Sequence, residues 1–298
     1  MSPRLPSFVD QDFMRQLERL ELVVRKSAVG KTSGERRSIK KGRSVEFADF
    51  RDYAPGDDTR LVDWNAYARL ERLFLKLYLE EQEATVNLLL DASGSMSWGE
   101  AAADKGLFAR RVAAAIGYLA LRAYDRVAVG ALADDLVGYL RPVRGMASLW
   151  RLWEFIEGAK GDGLTHLARS VRSCGRFITG PGVTILISDF LAPTGYQEAL
   201  DYLLFLKQEV TVVQVLAPDE LQPALSGDLR LIDRESGASC EVSVTPGLLR
   251  AYRRRLEGFR EELSGFCLTR GISFISISSA TRLEEALFDW LRRAGLVS

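Results

Sequence analysis

Five oxygen-bearing side chains stand where short apolar runs of the chain give way to loops. TVNLLL (85–90) is followed by Asp91-Ala92-Ser93-Gly94-Ser95, and VTILIS (183–188) by Asp189. The loop Gly161-Asp162-Gly163-Leu164-Thr165 sets a third hydroxyl at the start of a helical stretch. Two carboxylates and three hydroxyls, with no thiolate or imidazole among them, form a donor set for a hard cation rather than for zinc. Mg2+ is the natural occupant, with Mn2+ or Ca2+ as alternatives. The competing reading is plain helix capping, since Asp and Ser commonly accept the first free N–H groups of a helix. Asp-x-Ser-x-Ser alone is too short to decide, and the joint placement of Asp91, Ser93, Ser95, Thr165 and Asp189 is what favours a metal site.

The elements that must hold these residues are legible from periodicity. From Thr85 onward, apolar runs at 85–90, 126–132, 136–140, 183–188, 210–216 and 272–278 alternate with helical patterns at about 101–124, 147–157, 165–177, 196–208, 246–263 and 282–294, which is the texture of strands joined by crossover helices. The expected fold is α/β, a doubly wound and mostly parallel sheet, in which ligands sit outside the carboxyl ends of the strands. Asp134-Asp135 is too short for a parallel crossover, so an antiparallel hairpin is expected there, with another around 229–245. Residues 1–83 read as an N-terminal α+β extension to a main domain at 84–298. The extension begins with a helix capped by Asp10 and carrying Phe13, Leu17, Leu20 and Val24 near one face. Residues 25–43 hold eight basic residues against one acid, Glu35, and read as an exposed loop. A signature-rich segment follows at 44–81 and ends in the alternating strand LFLKLYL (73–79).

Lys and Arg total 40, as do Asp and Glu, so no whole-chain attraction to nucleic acid or anionic membrane is implied. No aromatic side chains interleave the basic stretch, so no stacking platform for nucleic acid is expected. Cys174, Cys240 and Cys267 are an odd, scattered set that reads as buried thiols in a reducing compartment. The first residues lack the apolar core of a signal peptide, and the longest uncharged apolar run, 112–121, is too short to span a bilayer. A cytoplasmic protein without a membrane span is expected.

Asp91, Ser93, Ser95, Thr165 and Asp189 match, in order and context, the metal-ion-dependent adhesion site of von Willebrand factor type A domains, which the stretch from Thr85 to the C-terminus resembles. Upstream, YAPGDDTRLVDWNAYAR (53–69) and LFLKLYLEE (73–81), leading into LLLDASGSM, resemble the signature of the bacterial family called domain of unknown function 58. The resemblance implies a protein-interaction module rather than an enzyme, working beside a MoxR-type AAA+ ATPase. In such a site Ser93 and Ser95 are direct ligands, Thr165 a direct or water-mediated one, and Asp91 and Asp189 hold coordinated waters. An open position is left for a partner's Asp or Glu.

Other chemistry finds less support. Gly30-Lys31-Thr32 lacks the upstream glycine of a phosphate-binding loop, because position 25 is Arg25. A serine hydrolase elbow needs glycine two residues before Ser93, where Asp91 stands. His166, the single histidine, reads as a rim or packing residue. A Mg2+-assisted phosphohydrolase using the same carboxylates remains the alternative function. Trp64, Tyr67, Trp150 and Trp153 are expected in the core. Asp57, Asp58, Arg60 and Asp63 read either as a charge cluster pinning the extension to the main domain or as a turn and helix start.

Overall fold

The structure is a computed structural model. It describes residues 6–30, 46–54, 57, 59, 62–79, 85–97, 104–123, 125–161, 163, 165–233 and 237–293, with backbone alone at 21–30, 46–49, 76–79 and 289–293. In chain order the first elements are α1 (Gln11–Gly30), β1 (Glu46–Asp52), α2 (Trp64–Leu70), β2 (Phe74–Leu79), β3 (Thr85–Asp91), α3 (Lys105–Arg122), β4 (Arg126–Leu132), β5 (Leu136–Arg144), α4 (Leu149–Gly158) and α5 (Leu167–Gly175). There follow β6 (Gly182–Ser188), α6 (Gln197–Phe205), β7 (Gln208–Leu216), the one-turn α7 (Pro218–Leu221), β8 (Gly227–Ile232), β9 (Ser239–Val244), α8 (Pro246–Thr269), β10 (Ser273–Ser278) and α9 (Leu283–Arg293).

By its internal contacts the chain divides into two units, Met1–Ser27 with Ala84–Ser298, and Ala28–Glu83. The larger unit is built on a six-stranded sheet in the order β10-β7-β6-β3-β4-β5, parallel except for β5, which runs against β4. The mixed α/β architecture and the edge hairpin at Asp134-Asp135 therefore agree with the sequence. A helix layer on each face explains why β3 is a continuous apolar run: a strand covered on both sides has no face for water. Successive side chains of β3 serve opposite layers. Leu88 and Leu90 join a core with Phe108, Leu152, Ile156 and Leu287, while Leu89 joins Leu167, Val171, Leu200 and Leu263.

The N-terminal helix belongs to the first of these cores. Asp10 accepts the amide hydrogen of Phe13 at 2.7 Å and starts α1. Phe8, Phe13, Leu17 and Leu20 are fully buried. Phe8, Phe13 and Trp153 meet edge to face, with ring centroids 6.0–6.4 Å apart. The arginine at 111 pairs with Asp10, and Arg19 reaches Glu284 of α9 at 3.2 Å. An undivided 1–83 extension is thus corrected: helical periodicity reveals an apolar face but not its partner, and this face is covered by the main domain. The helix also continues to Gly30, into the stretch read as a basic loop, whose remainder at 31–43 lies outside the described residues.

Within the smaller unit β1 and β2 pair antiparallel, with a register shift between Phe47 and Asp49. Asp63 caps α2 by accepting from the amides of Asn65 and Ala66 at 2.9 and 3.2 Å. Asp57 accepts from Arg51 and from the amide of Ala54 at 2.8 and 2.9 Å. These bonds are those of a turn and helix start, and Asp58 and Arg60 lie outside the described residues. Two aromatic expectations need correction. Trp64 is 61% exposed and Tyr67 43%, because α2 is a short helix with no buried residue, and the two rings pack on each other. Trp153 is buried as expected. Cys174 and Cys267 are buried, but Cys240 is exposed because β9 belongs to a two-stranded hairpin open to solvent.

Deleting residues 1–83 removes Phe8, Phe13, Leu17 and Leu20 from a core they help to close. The fragment beginning at Ala84 is expected to be insoluble or to unfold without cooperativity, and Phe13→Ala in the full chain to cost about 3–5 kcal/mol. Denaturant titration followed by fluorescence checks both; a cooperative fragment would show that the helix is dispensable.

Candidate functional site

The sheet order brings the predicted residues together. β3 and β6 are parallel neighbours, with Leu90 opposite Ile187. From β3 the chain proceeds toward β4, and from β6 toward β7 on the other side, so the space between their carboxyl ends is a switch point of the sheet. Asp91 ends β3 and Asp189 follows β6, and both are almost completely buried. The loop after β3 folds back through the Ser93 amide, which donates to Asp91 Oδ1 at 3.0 Å. Ser93 is buried, and its Oγ lies 3.1 Å from Ser95 Oγ. The loop before Thr165 is laid against this turn by two backbone bonds, Gly161 N–H to the Ala92 carbonyl at 2.8 Å and Gly94 N–H to the Gly163 carbonyl at 3.3 Å. Thr165 itself is buried. His166 stands at the N-cap of α5, and its backbone bonds to Ala133 and Ser170.

The two carboxylates are held differently. Ser188, the last residue of β6, donates its hydroxyl to Asp91 Oδ2 at 2.5 Å and accepts from the Phe190 amide at 3.0 Å. Asp91 has no ion-pair partner among the described residues. Burial, and next the nearby negative charge of Asp189, push its pKa up from 3.8 to about 6 against the hydrogen bonds from Ser188 and Ser93. Asp189 accepts the Leu191 amide at Oδ1 (3.0 Å) and the Lys105 ammonium at Oδ2 (2.8 Å). That turn holds Phe190 at φ 62°, a left-handed conformation costly for a side chain of this size.

Lys105 is the residue the sequence did not reveal. It is fully buried, and its Nζ also donates to Glu220 Oε1 at 2.6 Å. Glu220 Oε2 in turn accepts the Ala217 amide at 2.7 Å, fixing α7 just beyond β7. Burial works against the ammonium, but the carboxylates of Asp189 and Glu220 outweigh it and leave the Lys105 pKa raised. The lysine also stands in the first turn of α3, where the helix dipole disfavours a cation, so the pair of carboxylates must offset that as well. Three neighbouring strands, β3, β6 and β7, therefore each lead into a buried or half-buried carboxylate, and one ammonium serves two of them. The signal for Glu220 was its place after the apolar run 210–216; Lys105 carried none, being one basic residue among many at a helix start.

The residues fit a hard cation in part. Adjacent ligands of an octahedral Mg2+ at roughly 2.0–2.1 Å stand about 3 Å apart, which is the spacing of the two serine oxygens. Asp91, buried beside them without a cation, supplies negative charge at the same loop. Asp189 is already paired with Lys105, which it shares with Glu220. Among the described residues no three His, Cys, Asp or Glu side chains form a metal cluster, so the site depends on its hydroxyls.

The family model described as protein of unknown function DUF58 matches residues 49–261. The chain belongs to this family. The chain is similar to uncharacterized proteins of Mycobacterium bovis and Mycobacterium tuberculosis, each 28% identical over 95% of this chain and 87% of the relative. Among solved structures, the conserved hypothetical protein BatB of Bacteroides thetaiotaomicron superposes with a TM-score of 0.46 at 18% identity, over 71% of this chain and 99% of that one. An aerotolerance-related membrane protein of Bacteroides fragilis gives 0.44 at 16% identity, over 70% and 99%. Among the described residues of this DUF58 protein, no helix is long and apolar enough to cross a membrane.

Two outcomes follow from the charges. Lys105→Met leaves Asp189 buried without its cation and is expected to cost about 3–5 kcal/mol in denaturant titration. Adding Asp189→Asn should recover part of the loss. Because the folded-state pKa of Asp91 is raised, the folded chain keeps a proton that the unfolded chain releases between 3.8 and about 6. That contribution is full below 3.8 and lost as pH rises through about 6. The melting temperature of wild type should fall across this window relative to Asp91→Asn; parallel curves would mean that Asp91 titrates normally.

Proposed function

We propose that this DUF58 protein is a metal-dependent protein-interaction module with a von Willebrand factor A-like metal-ion-dependent adhesion site, acting in the cytoplasm without catalytic activity of its own. The supporting observation is Asp91: a buried carboxylate, raised to about 6, with no ion-pair partner among the described residues, beside two hydroxyls at ligand spacing. A hydroxyl-rich donor set of this kind suits Mg2+, or Mn2+ or Ca2+ in its place. In this reading Ser93, Ser95 and Thr165 present hydroxyls to the ion, Asp91 supplies the nearest negative charge, and Ser188 orients Asp91. Asp189 contributes from further out through its bond to Lys105. When bound, the ion supplies an electrophilic position for an Asp or Glu of a partner, and a MoxR-type AAA+ ATPase is the proposed partner on family resemblance.

The alternative phosphohydrolase gains no specific observation. A phosphate clamp needs a cation facing the substrate, whereas Lys105 is enclosed and shared between two carboxylates.

Mg2+ or Mn2+ should raise the melting temperature of the purified protein, and Asp91→Ala should abolish the rise. Native-state binding at a hundred times the dissociation constant stabilises by about 2.7 kcal/mol. Since ion and proton compete for Asp91, the rise should be larger above pH 6 than below it. Capture of a purified MoxR-type ATPase should then fall with Ser93→Ala, with Thr165→Ala and with chelator. Capture that is undiminished by chelator removes the metal bridge from the mechanism.

A further inference from the structure

The larger unit has a second surface that the proposed metal site does not use. The hairpin of β8 and β9 forms a two-stranded sheet of its own, separate from the six-stranded one. Two strands alone are marginal in water and need a third strand or a packed helix. The helix available is α8, whose hollow of about 450 Å³ is lined by Leu231, Val242 and Val244 of the hairpin and by Leu248, Leu249 and Tyr252 of the helix. Yet this half of α8 is itself poorly covered. From Pro246 to Gly258 only Leu256 is buried, and Leu248 and Tyr252 are 41% and 38% exposed. The hairpin leaves Leu231 46% and Ile232 64% exposed. Two elements that line one hollow thus present a shared apolar surface.

That surface continues toward the sheet. A second hollow, of about 970 Å³, lies between α8 and the turn after β6, with Phe190, Leu191, Leu256 and Phe259 giving its apolar lining. Leu248 and Tyr252 border both hollows. Contiguous exposed apolar surface of this kind marks an interaction site more often than chance.

The charges state what would cover it. The first three turns of α8 carry Arg250, Arg253, Arg254 and Arg255 and no acid. None of the four has an ion-pair partner among the described residues, and Arg254 and Arg255 line the larger hollow. Guanidinium groups without an ion partner, standing beside an apolar hollow, gain charge-assisted hydrogen bonds from an external carboxylate. Of the acids at these hollows, Glu220 is held by Lys105, Asp219 borders only the smaller hollow, which no arginine lines, and Glu262 lies two turns further along α8 from Arg255.

We infer that the groove between α8, the β8–β9 hairpin and the turn at Phe190–Ala192 docks a short amphipathic segment of a partner protein that carries acidic residues beside aliphatic ones. Its aliphatic side chains fill the hollows flanking Leu248 and Tyr252, and its carboxylates meet Arg254 and Arg255. The inference stands on the groove and its arginines and does not require a metal.

The test uses the full chain as bait for a random peptide library displayed on phage, followed by affinity measurement with synthetic versions of the enriched peptides. Enriched sequences should combine Asp or Glu with Leu, Ile or Phe. Affinity should fall about tenfold or more, 1.4 kcal/mol, with Arg254→Glu/Arg255→Glu and with Leu248→Asp, weaken as salt is raised, and be unchanged in excess chelator. All three substitutions lie at exposed positions, and matching melting temperatures confirm folded variants. No enrichment, peptides without acidic residues, or equal binding by the variants overturns the inference. Binding abolished by chelator also overturns it, because the peptides then occupy the metal site. Concentration-dependent dimers of wild type that the same substitutions dissolve in sedimentation overturn it too, since the covering surface is then a second copy.

Discussion

Negative charge buried at the carboxyl edge of a parallel sheet is the constraint around which the larger unit is arranged. β3, β6 and β7 are neighbours, and each leads into a carboxylate, Asp91, Asp189 and Glu220. Leaving such groups charged in a dry interior costs several kcal/mol each unless a cation or donors compensate. Lys105 compensates two of them from the first turn of α3, which in turn fixes how α3 enters the helix layer. α7 is fixed by the same contact, since Glu220 cannot both hold Lys105 and cap the turn at Ala217 unless the loop after β7 folds as it does. The geometry of one edge of the sheet is thus an electrostatic solution as much as a packing one.

The parts of this solution legible in the sequence were those tied to strand ends. Apolar runs locate the strands, the fold class places ligands after them, and Asp91, Ser93 and Asp189 follow directly. The hairpin at Asp134-Asp135 was equally plain, because loop length excludes a parallel crossover. Ser188 and Glu220 were within reach of the same rule, being the last residue of one run and a near successor of another. Lys105 was not. Its role arises from two carboxylates distant in sequence, 84 and 115 residues away, and a helix-start lysine has no local pattern that distinguishes burial from exposure.

The failures elsewhere share that cause. Trp64 and Tyr67 have helical spacing, but a seven-residue helix with no buried residue cannot make spacing into burial. Cys240 reads as a core thiol by residue type, whereas its hairpin lacks a third strand to cover it. Phe13, Leu17 and Leu20 of the expected α1 face are buried, the side chain of Val24 lying outside the described residues, and only their partner was not foreseen: Trp153 lies far along the chain, and the contact returns residues 1–27 to the unit from which a linear division would separate them. Periodicity reports which side of an element avoids water. It does not report what supplies the cover.

The same reasoning bears on the character of the proposed metal site. A site built from two free carboxylates would neutralise a divalent ion and bind it tightly in isolation. Here Asp189 is bound to the ammonium of Lys105, which Glu220 shares, so Asp91 and neutral hydroxyls are left to face the ion. In the proposed reading Asp91 offsets one of the ion's two charges at the loop itself, and an external carboxylate completes the coordination. Binding of ion and partner then favour each other, as linkage requires of two ligands whose affinities are coupled. By engaging Asp189, the buried Lys105 would weaken that carboxylate's hold on the ion, so that metal occupancy gains more from a partner's carboxylate than in a site with both aspartates unpaired.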